Sequence, residues 1–307
     1  MPAHAGNRDY TPRSEISLNH RADLPLGPGP LESAHIEAPR GLLAFATVLR
    51  NRTRMILLRS LAFHSAFYLT TTVLALAGLP VLVMGRHSVQ AYAKFWTGSS
   101  VWLLEKICKT KVVWRGFENL PRGGCIIAAK HQSALETLAL TTKGADFSYI
   151  LKRELMAIPI FGWYLKGAGQ VALDRAKRGQ ALPDLTGQVR EAIAEGRQMI
   201  IFPEGTRKPV GAPPAYKSGV GYLYADSGAV CVPVALNTGL FWPRHSLAIH
   251  QGRVTIAFLE PIAPGLDRHD FLQLLESRIE AATADLIAEA LAADPSLKPA
   301  LAHRTLS

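Results

Sequence analysis

A histidine and a carboxylate stand five positions apart in Lys130-His131-Gln132-Ser133-Ala134-Leu135-Glu136-Thr137. An imidazole titrates near neutral pH, and a carboxylate on one ring nitrogen makes the other nitrogen a general base. Five residues of ideal helix advance about 500°, which would leave the two side chains roughly 140° apart. They meet only if His131 lies in a turn and Glu136 in the first turns of a helix. The flanks ask for that arrangement. Cys125-Ile126-Ile127-Ala128-Ala129 reads as a short buried strand, and Leu138-Ala139-Leu140 as the buried face of a helix. On spacing alone, a surface histidine followed by a helix-start glutamate stays open.

A second polar stretch follows another apolar run, Met199-Ile200-Ile201: it is Phe202-Pro203-Glu204-Gly205-Thr206-Arg207. Gly205 allows a tight turn or a close backbone approach. Arg207 carries a planar fork of donors that matches phosphate. Two polar motifs, each just past the end of a buried strand, predict a site at one edge of an α/β sheet.

The elements that must hold these residues alternate. Val112-Val113-Trp114 reads as a strand, and further strands are predicted at 125–129, 147–151, 170–173, 198–202, 231–236 and 253–259. Helices are predicted at 135–142, 155–166, 184–195 and 217–226. A last helix starts at Asp267, an N-cap candidate, with Phe271, Leu274, Leu275, Ile279 and Leu286 on its apolar face. The fold class is therefore α/β, a mostly parallel central sheet covered by helices. Gly167-Ala168-Gly169 follows a helix-like run and leads into Val171-Ala172-Leu173, so it reads as a helix-to-strand turn and not as a dinucleotide loop.

Ahead of this domain the composition changes twice. Residues 1–38 are rich in Pro, Gly and charge and read as a disordered tail, with no apolar core for a cleavable signal peptide. Residues 39–108 read as a membrane-associated helical segment. No acidic residue occurs between Glu37 and Glu105, and Ser60 to Gly85 lacks Lys, Arg, Asp and Glu. That run is long enough to cross a bilayer, while Gly78 and Pro80 would kink it and let it re-enter. A second stretch, Tyr92 to Ile107, carries Tyr92, Phe95, Trp96 and Trp102 among polar residues, as interfacial helices do. A pair of buried core helices is the soluble alternative. The α/β domain is expected over 109–293, with a C-terminal tail over 294–307.

Four blocks now invite comparison: His131 to Glu136; Lys152-Arg153-Glu154-Leu155 through Ile158-Pro159-Ile160-Phe161-Gly162-Trp163; Phe202 to Arg207; and Val232-Pro233-Val234. In that order they resemble the glycerolipid acyltransferases, most closely the bacterial 1-acylglycerol-3-phosphate acyltransferases. Glu136 stands where that family's His-x4-Asp block has Asp. The resemblance implies acyl transfer from an acyl thioester, on coenzyme A or acyl carrier protein, to a lysolipid hydroxyl. His131 would be the base and Glu136 its support. Glu204, Gly205, Thr206 and Arg207 would bind the glycerol and phosphate of the acceptor, with Lys152 and Arg153 adding positive charge. Gln132 and Ser133 stand beside the base. No Gly-x-Ser-x-Gly elbow occurs, so direct attack by the substrate hydroxyl is expected.

The chain has 34 Lys and Arg against 24 Asp and Glu, a net charge of +10. Such an excess suits nucleic acid, anionic lipid or a phosphorylated substrate. Membrane lipids and lysophosphatidic acid are the expected partners, and nucleic acid is not. The expected location is the inner (cytoplasmic) membrane, with the catalytic domain on the cytoplasmic side. Cys108, Cys125 and Cys231 lie in or beside apolar runs at no metal-like spacing, and no metal or cofactor is expected beyond the acyl co-substrate. Two other readings compete: the same chemistry on another lyso-lipid such as lyso-ornithine lipid, and an inert membrane-bound lipid-binding protein.

Overall fold

The structure, a computed structural model, describes residues 40–174 and 182–297. The chain forms two compact units, residues 1–46 and 47–307. Of the first, only the backbone of residues 40–46 is described, as helix. The expected tail over 1–38 lies outside the described residues. All that follows concerns the second unit.

Seven strands form one sheet: β1 (Thr110–Arg115), β2 (Cys125–Ala129), β3 (Phe147–Lys152), β4 (Val171–Leu173), β5 (Gln198–Ile201), β6 (Cys231–Leu236) and β7 (Gly252–Phe258). Their order is β1-β7-β6-β2-β5-β3-β4. Every neighbouring pair is parallel except β6 and β7. All five residues of β2 are buried, because helices cover both faces of its part of the sheet. Ile127 sits in register with Ile200 on one side and Val232 on the other. Burying side chains of that size stabilises by about 1.5–3 kcal/mol each, so the register of β2 is firmly set, and with it the point where the chain leaves the sheet.

The two faces of the sheet have separate cores. On one, Ile126, Ala128, Met199 and Cys231 pack with Val189 of α5 (Leu182–Ala194), Leu223 of α6 (Gly219–Ser227) and Phe271 of α8 (Arg268–Ala293). On the other, Ile127, Ile200 and Val232 pack with Ala139 and Leu140 of α3 (Leu135–Lys143). Asp267 caps α8 as its sequence implies, accepting from the N–H groups of His269 and Asp270 at 2.7 and 3.1 Å.

Two sequence expectations need correction. The helix expected over 155–166 is split into a 3₁₀ turn, Arg153–Ala157, and α4, Phe161–Gly167. Pro159 is the reason: it cannot sit inside a helix, and it holds Ile158 in an extended conformation. Residues 294–297, expected to open the C-terminal tail, are docked on the rest of the unit, and 298–307 lie outside the described residues. Asp294 pairs with Arg52 at 2.7 Å, and Leu297 is buried among Phe63, Leu104 and Leu240.

Helix α1 (Arg40–Ala77) ends where Gly78 and Pro80 break it, and a 3₁₀ turn (Leu79–Val83) leads into α2 (Arg86–Cys108). Tyr92 of α2 packs so closely on Gly78 that a Cβ there would lie 2.2 Å from its ring. Arg50–Ala77 is long and apolar enough to cross a membrane, and only 11% of its most apolar window is buried. Leu58, Leu61, Leu69, Val73 and Leu76 are exposed, at helical spacing. The opposite stripe is docked on the α/β domain. Phe63 meets Trp242 edge-on at 5.4 Å, Ser60 accepts from the Ile249 N–H at 2.8 Å, and the Tyr164 hydroxyl donates to Ala75 O at 2.9 Å. An exposed apolar face of this size marks α1 as the element of membrane association. The protein is expected to stay with membranes through high-salt washing and to be released by detergent. Full release by salt alone would leave only an electrostatic attachment.

Candidate active site

The site is built at the carboxyl ends of β2, β5 and β6. His131 is the second residue past β2, and Glu136 lies in the first turn of α3, as the spacing requires. Their side chains meet, with Nδ1 2.8 Å from Glu136 Oε1. The same oxygen accepts the N–H groups of Gln132 and Ser133 at 2.7 Å each. The other oxygen accepts the Thr238 hydroxyl at 2.7 Å. The carboxylate is fully buried and every contact to it is a donor, which suits an ionised acid at a helix N-terminus. An ionised Glu136 can only accept, so Nδ1 carries the proton and Nε2 is left with a free lone pair.

The imidazole is fixed on its other sides as well. Phe202 stacks on it with ring centroids 3.9 Å apart and planes within 14°. Tyr149 stacks on Phe202 in turn, at 6.1 Å. Burial pushes the Tyr149 phenol well above its usual range, so it stays neutral. The main chain of His131 is held at both ends: its N–H donates to Glu204 Oε2 at 3.1 Å, and its carbonyl accepts from the Lys208 N–H at 2.7 Å. Gln132 turns inward, where its Oε1 accepts the Gly239 N–H at 3.1 Å. Gly239 is needed there, since a Cβ would lie 2.9 Å from Gln132 Cβ. Ser133 Oγ accepts from Leu135 N at 3.2 Å, the helix-start role its position suggests.

His131 opens onto a cavity of about 710 Å³. Thr71 and Leu74 of α1, Trp96 of α2, Leu138 of α3 and Leu151 of β3 are among its lining residues, and the wall is mostly apolar. Gly205, Thr206, Arg207 and Lys152 also line it, and no Asp or Glu does so among the described residues. Gly205 takes a left-handed conformation, φ 66°, that lets the turn fold tightly after β5. The Arg207 guanidinium has no hydrogen-bond or ion-pair partner among the described residues, while its carbonyl is pinned by Arg244 Nη1 at 2.8 Å. An apolar chamber with a basic pole and a base at its wall can hold an acyl chain and an anionic headgroup next to a hydroxyl to be deprotonated.

Two of the residues singled out in the sequence lie elsewhere. Arg153 is exposed, pairs with Asp174 at 2.8 Å, and lines a separate hollow with Lys166 and Met156. Neighbouring residues at a strand end point to opposite sides, so Lys152 reaches the cavity and Arg153 does not. Glu204 is buried and turned inward, with Oε1 2.9 Å from Lys130 Nζ. Burial raises its carboxyl above the ordinary range, and the Lys130 ammonium pulls it back. Sequence reasoning missed Thr238, on the four-residue helix α7 (Thr238–Phe241), and Lys130. Thr238 gave no signal, since it meets Glu136 across 102 positions. Lys130 gave one: a charged residue directly after a wholly apolar strand.

Comparison with known proteins agrees with this picture. Residues 111–237 match the family profile described as Acyltransferase. Over 211 residues the chain is 33% identical to the 1-acyl-sn-glycerol-3-phosphate acyltransferase of Pseudomonas aeruginosa, covering 69% of this chain and 80% of that one. A chloroplast 1-acyl-sn-glycerol-3-phosphate acyltransferase of Brassica napus is 32% identical over 199 residues; the chain spans 56% of its length. The crystal structure of the 1-acyl-sn-glycerophosphate (LPA) acyltransferase PlsC from Thermotoga maritima matches with a TM-score of 0.64 at 25% identity, over 75% of this chain and 96% of that one. With that much of the Pseudomonas enzyme matched in sequence and almost all of the Thermotoga enzyme matched in fold, the chain belongs to the 1-acyl-sn-glycerol-3-phosphate acyltransferase family.

Proposed function

We propose that the protein transfers a fatty acyl group from an acyl thioester, on coenzyme A or acyl carrier protein, to the sn-2 hydroxyl of 1-acylglycerol-3-phosphate, forming phosphatidic acid for phospholipid synthesis. One observation carries this reading: His131 and Arg207, whose guanidinium has no partner among the described residues, open onto the same mostly apolar cavity. Nε2 of His131 takes the proton of the acceptor hydroxyl as its oxygen attacks the thioester carbonyl. Glu136 stabilises the imidazolium that forms. The tetrahedral intermediate then expels the thiolate, which takes that proton back from His131, so no acyl-enzyme is needed. Arg207 grips the phosphate, and Lys152 adds charge on the same wall. We place the catalytic unit on the cytoplasmic side of the inner membrane, where both thioester donors occur; the free, buried Cys108, Cys125 and Cys231 suit that reducing compartment. The test is thiol release from acyl-coenzyme A by the purified protein in detergent. Release is expected to depend on lysophosphatidic acid. Release that requires lyso-ornithine lipid instead would reassign the acceptor, and none with either lipid would leave a binding protein.

A further inference from the structure

Beside the catalytic pair lies a buried charge cluster that the reaction does not use. Lys130 is only 3% exposed, yet its ammonium sits between two carboxylates, 2.9 Å from Glu204 Oε1 and 2.6 Å from Glu280 Oε1. The Tyr216 hydroxyl donates to the same Glu280 oxygen at 2.9 Å, and its ring lies 5.8 Å from the ammonium. Glu280 belongs to α8 and Glu204 to the turn after β5, so the lysine ties three elements together. Desolvating a lysine and a glutamate is costly, and apolar side chains of similar volume often serve stability as well or better.

The backbone supplies a reason for the cluster. The Lys130 N–H donates to Val234 O at 3.0 Å, in step with the β2–β6 ladder. The next N–H, that of His131, leaves the ladder and goes to Glu204 Oε2. One oxygen of Glu204 therefore holds the Lys130 side chain, and the other holds the His131 main chain.

We propose that Glu204 is a positioning residue for acyl transfer: Lys130, braced by Glu280, holds one of its oxygens inward, and the other sets where the His131 backbone leaves β2 and so where Nε2 meets the acceptor hydroxyl. The proposal rests on His131 being the base, as argued above. Two double variants test it, both of which remove one positive and one negative charge. Lys130→Met/Glu204→Leu is apolar and should fold, but it offers no acceptor to His131. Lys130→Met/Glu204→Gln keeps an acceptor oxygen.

Hydrogen–deuterium exchange at the His131 amide, followed in the detergent-solubilised protein without substrate, should speed up at least several-fold in the Leu variant and stay near wild type in the Gln variant. With acyl-coenzyme A and lysophosphatidic acid, kcat should fall about tenfold in the Leu variant, since a 1 Å displacement costs about 10²-fold and a smaller shift is expected here. The acceptor KM should change little, and the Gln variant should recover most of kcat. A folded Leu variant with wild-type exchange and kcat would overturn the proposal, as would a Gln variant that recovers neither. If the wild-type protein does not use lysophosphatidic acid, the reading of its substrate fails, while the exchange experiment still decides the role of Glu204.

Discussion

Glu136→Gln and His131→Ala are each expected to lower kcat by about 10² to 10⁴, the range that a positioned general base supplies. The contacts of Glu136 make the glutamine variant a clean test. Gln can turn its oxygen toward the three donors now on Oε1, and its amide N–H₂ toward Thr238, whose hydroxyl can accept as well as donate. The turn should therefore survive while the negative charge is lost. Substrate binding should be nearly intact in both variants. The double variant should be little worse than either single one, because residues that act as a unit are not additive. Full additivity of the two losses, measured by initial rates at saturating substrates, would mean that the pair does not act as one. Glu136→Asp restores the residue usual in the family but shortens the reach by one methylene. Partial activity is expected, and a variant as inactive as Gln would show that reach decides whether the imidazole is held.

Arg207→Ala should raise the acceptor KM by about 10²-fold, and Arg207→Lys by about tenfold, because lysine keeps the charge but not the bidentate fork. The guanidinium has no partner among the described residues, so neither change breaks an internal contact. The carbonyl of residue 207 still accepts from Arg244, which keeps the turn in place. Loss of an interaction made equally in the ground and transition states raises KM and spares kcat. Initial rates over a range of lysophosphatidic acid concentrations give both constants. An unchanged KM in the alanine variant would remove Arg207 from the phosphate site.

The sheet was readable because its central strands are short apolar runs, which is how a parallel strand covered on both faces must look. All seven strands lie where those runs predict them. The contact of His131 with Glu136 was readable because both residues sit in one strand–turn–helix unit, where spacing fixes geometry. What was not readable depends on distance along the chain. Thr238 reaches Glu136 from α7, just past β6, and Glu280 reaches Lys130 from the last helix, 150 positions on. Glu204 illustrates the same limit. Its motif placed it correctly at the sheet edge, but only the buried Lys130 decides that it turns inward and away from the cavity.

The docking of α1 has a consequence for the membrane itself. The catalytic unit holds this helix from Arg52, paired with Asp294, to Ala75, bonded by Tyr164. That stretch is about 35 Å long at 1.5 Å per residue, more than the roughly 30 Å of a bilayer's hydrocarbon. If the helix enters a membrane while gripped over that length, only its outward apolar stripe is free to sink, and it is expected to lie along one side. A lysolipid with one chain would then be taken from, and a two-chain lipid returned to, the same monolayer. Each turnover would then widen that monolayer and leave the opposite one unchanged, so the two could keep pace only if lipid crossed between them by another route.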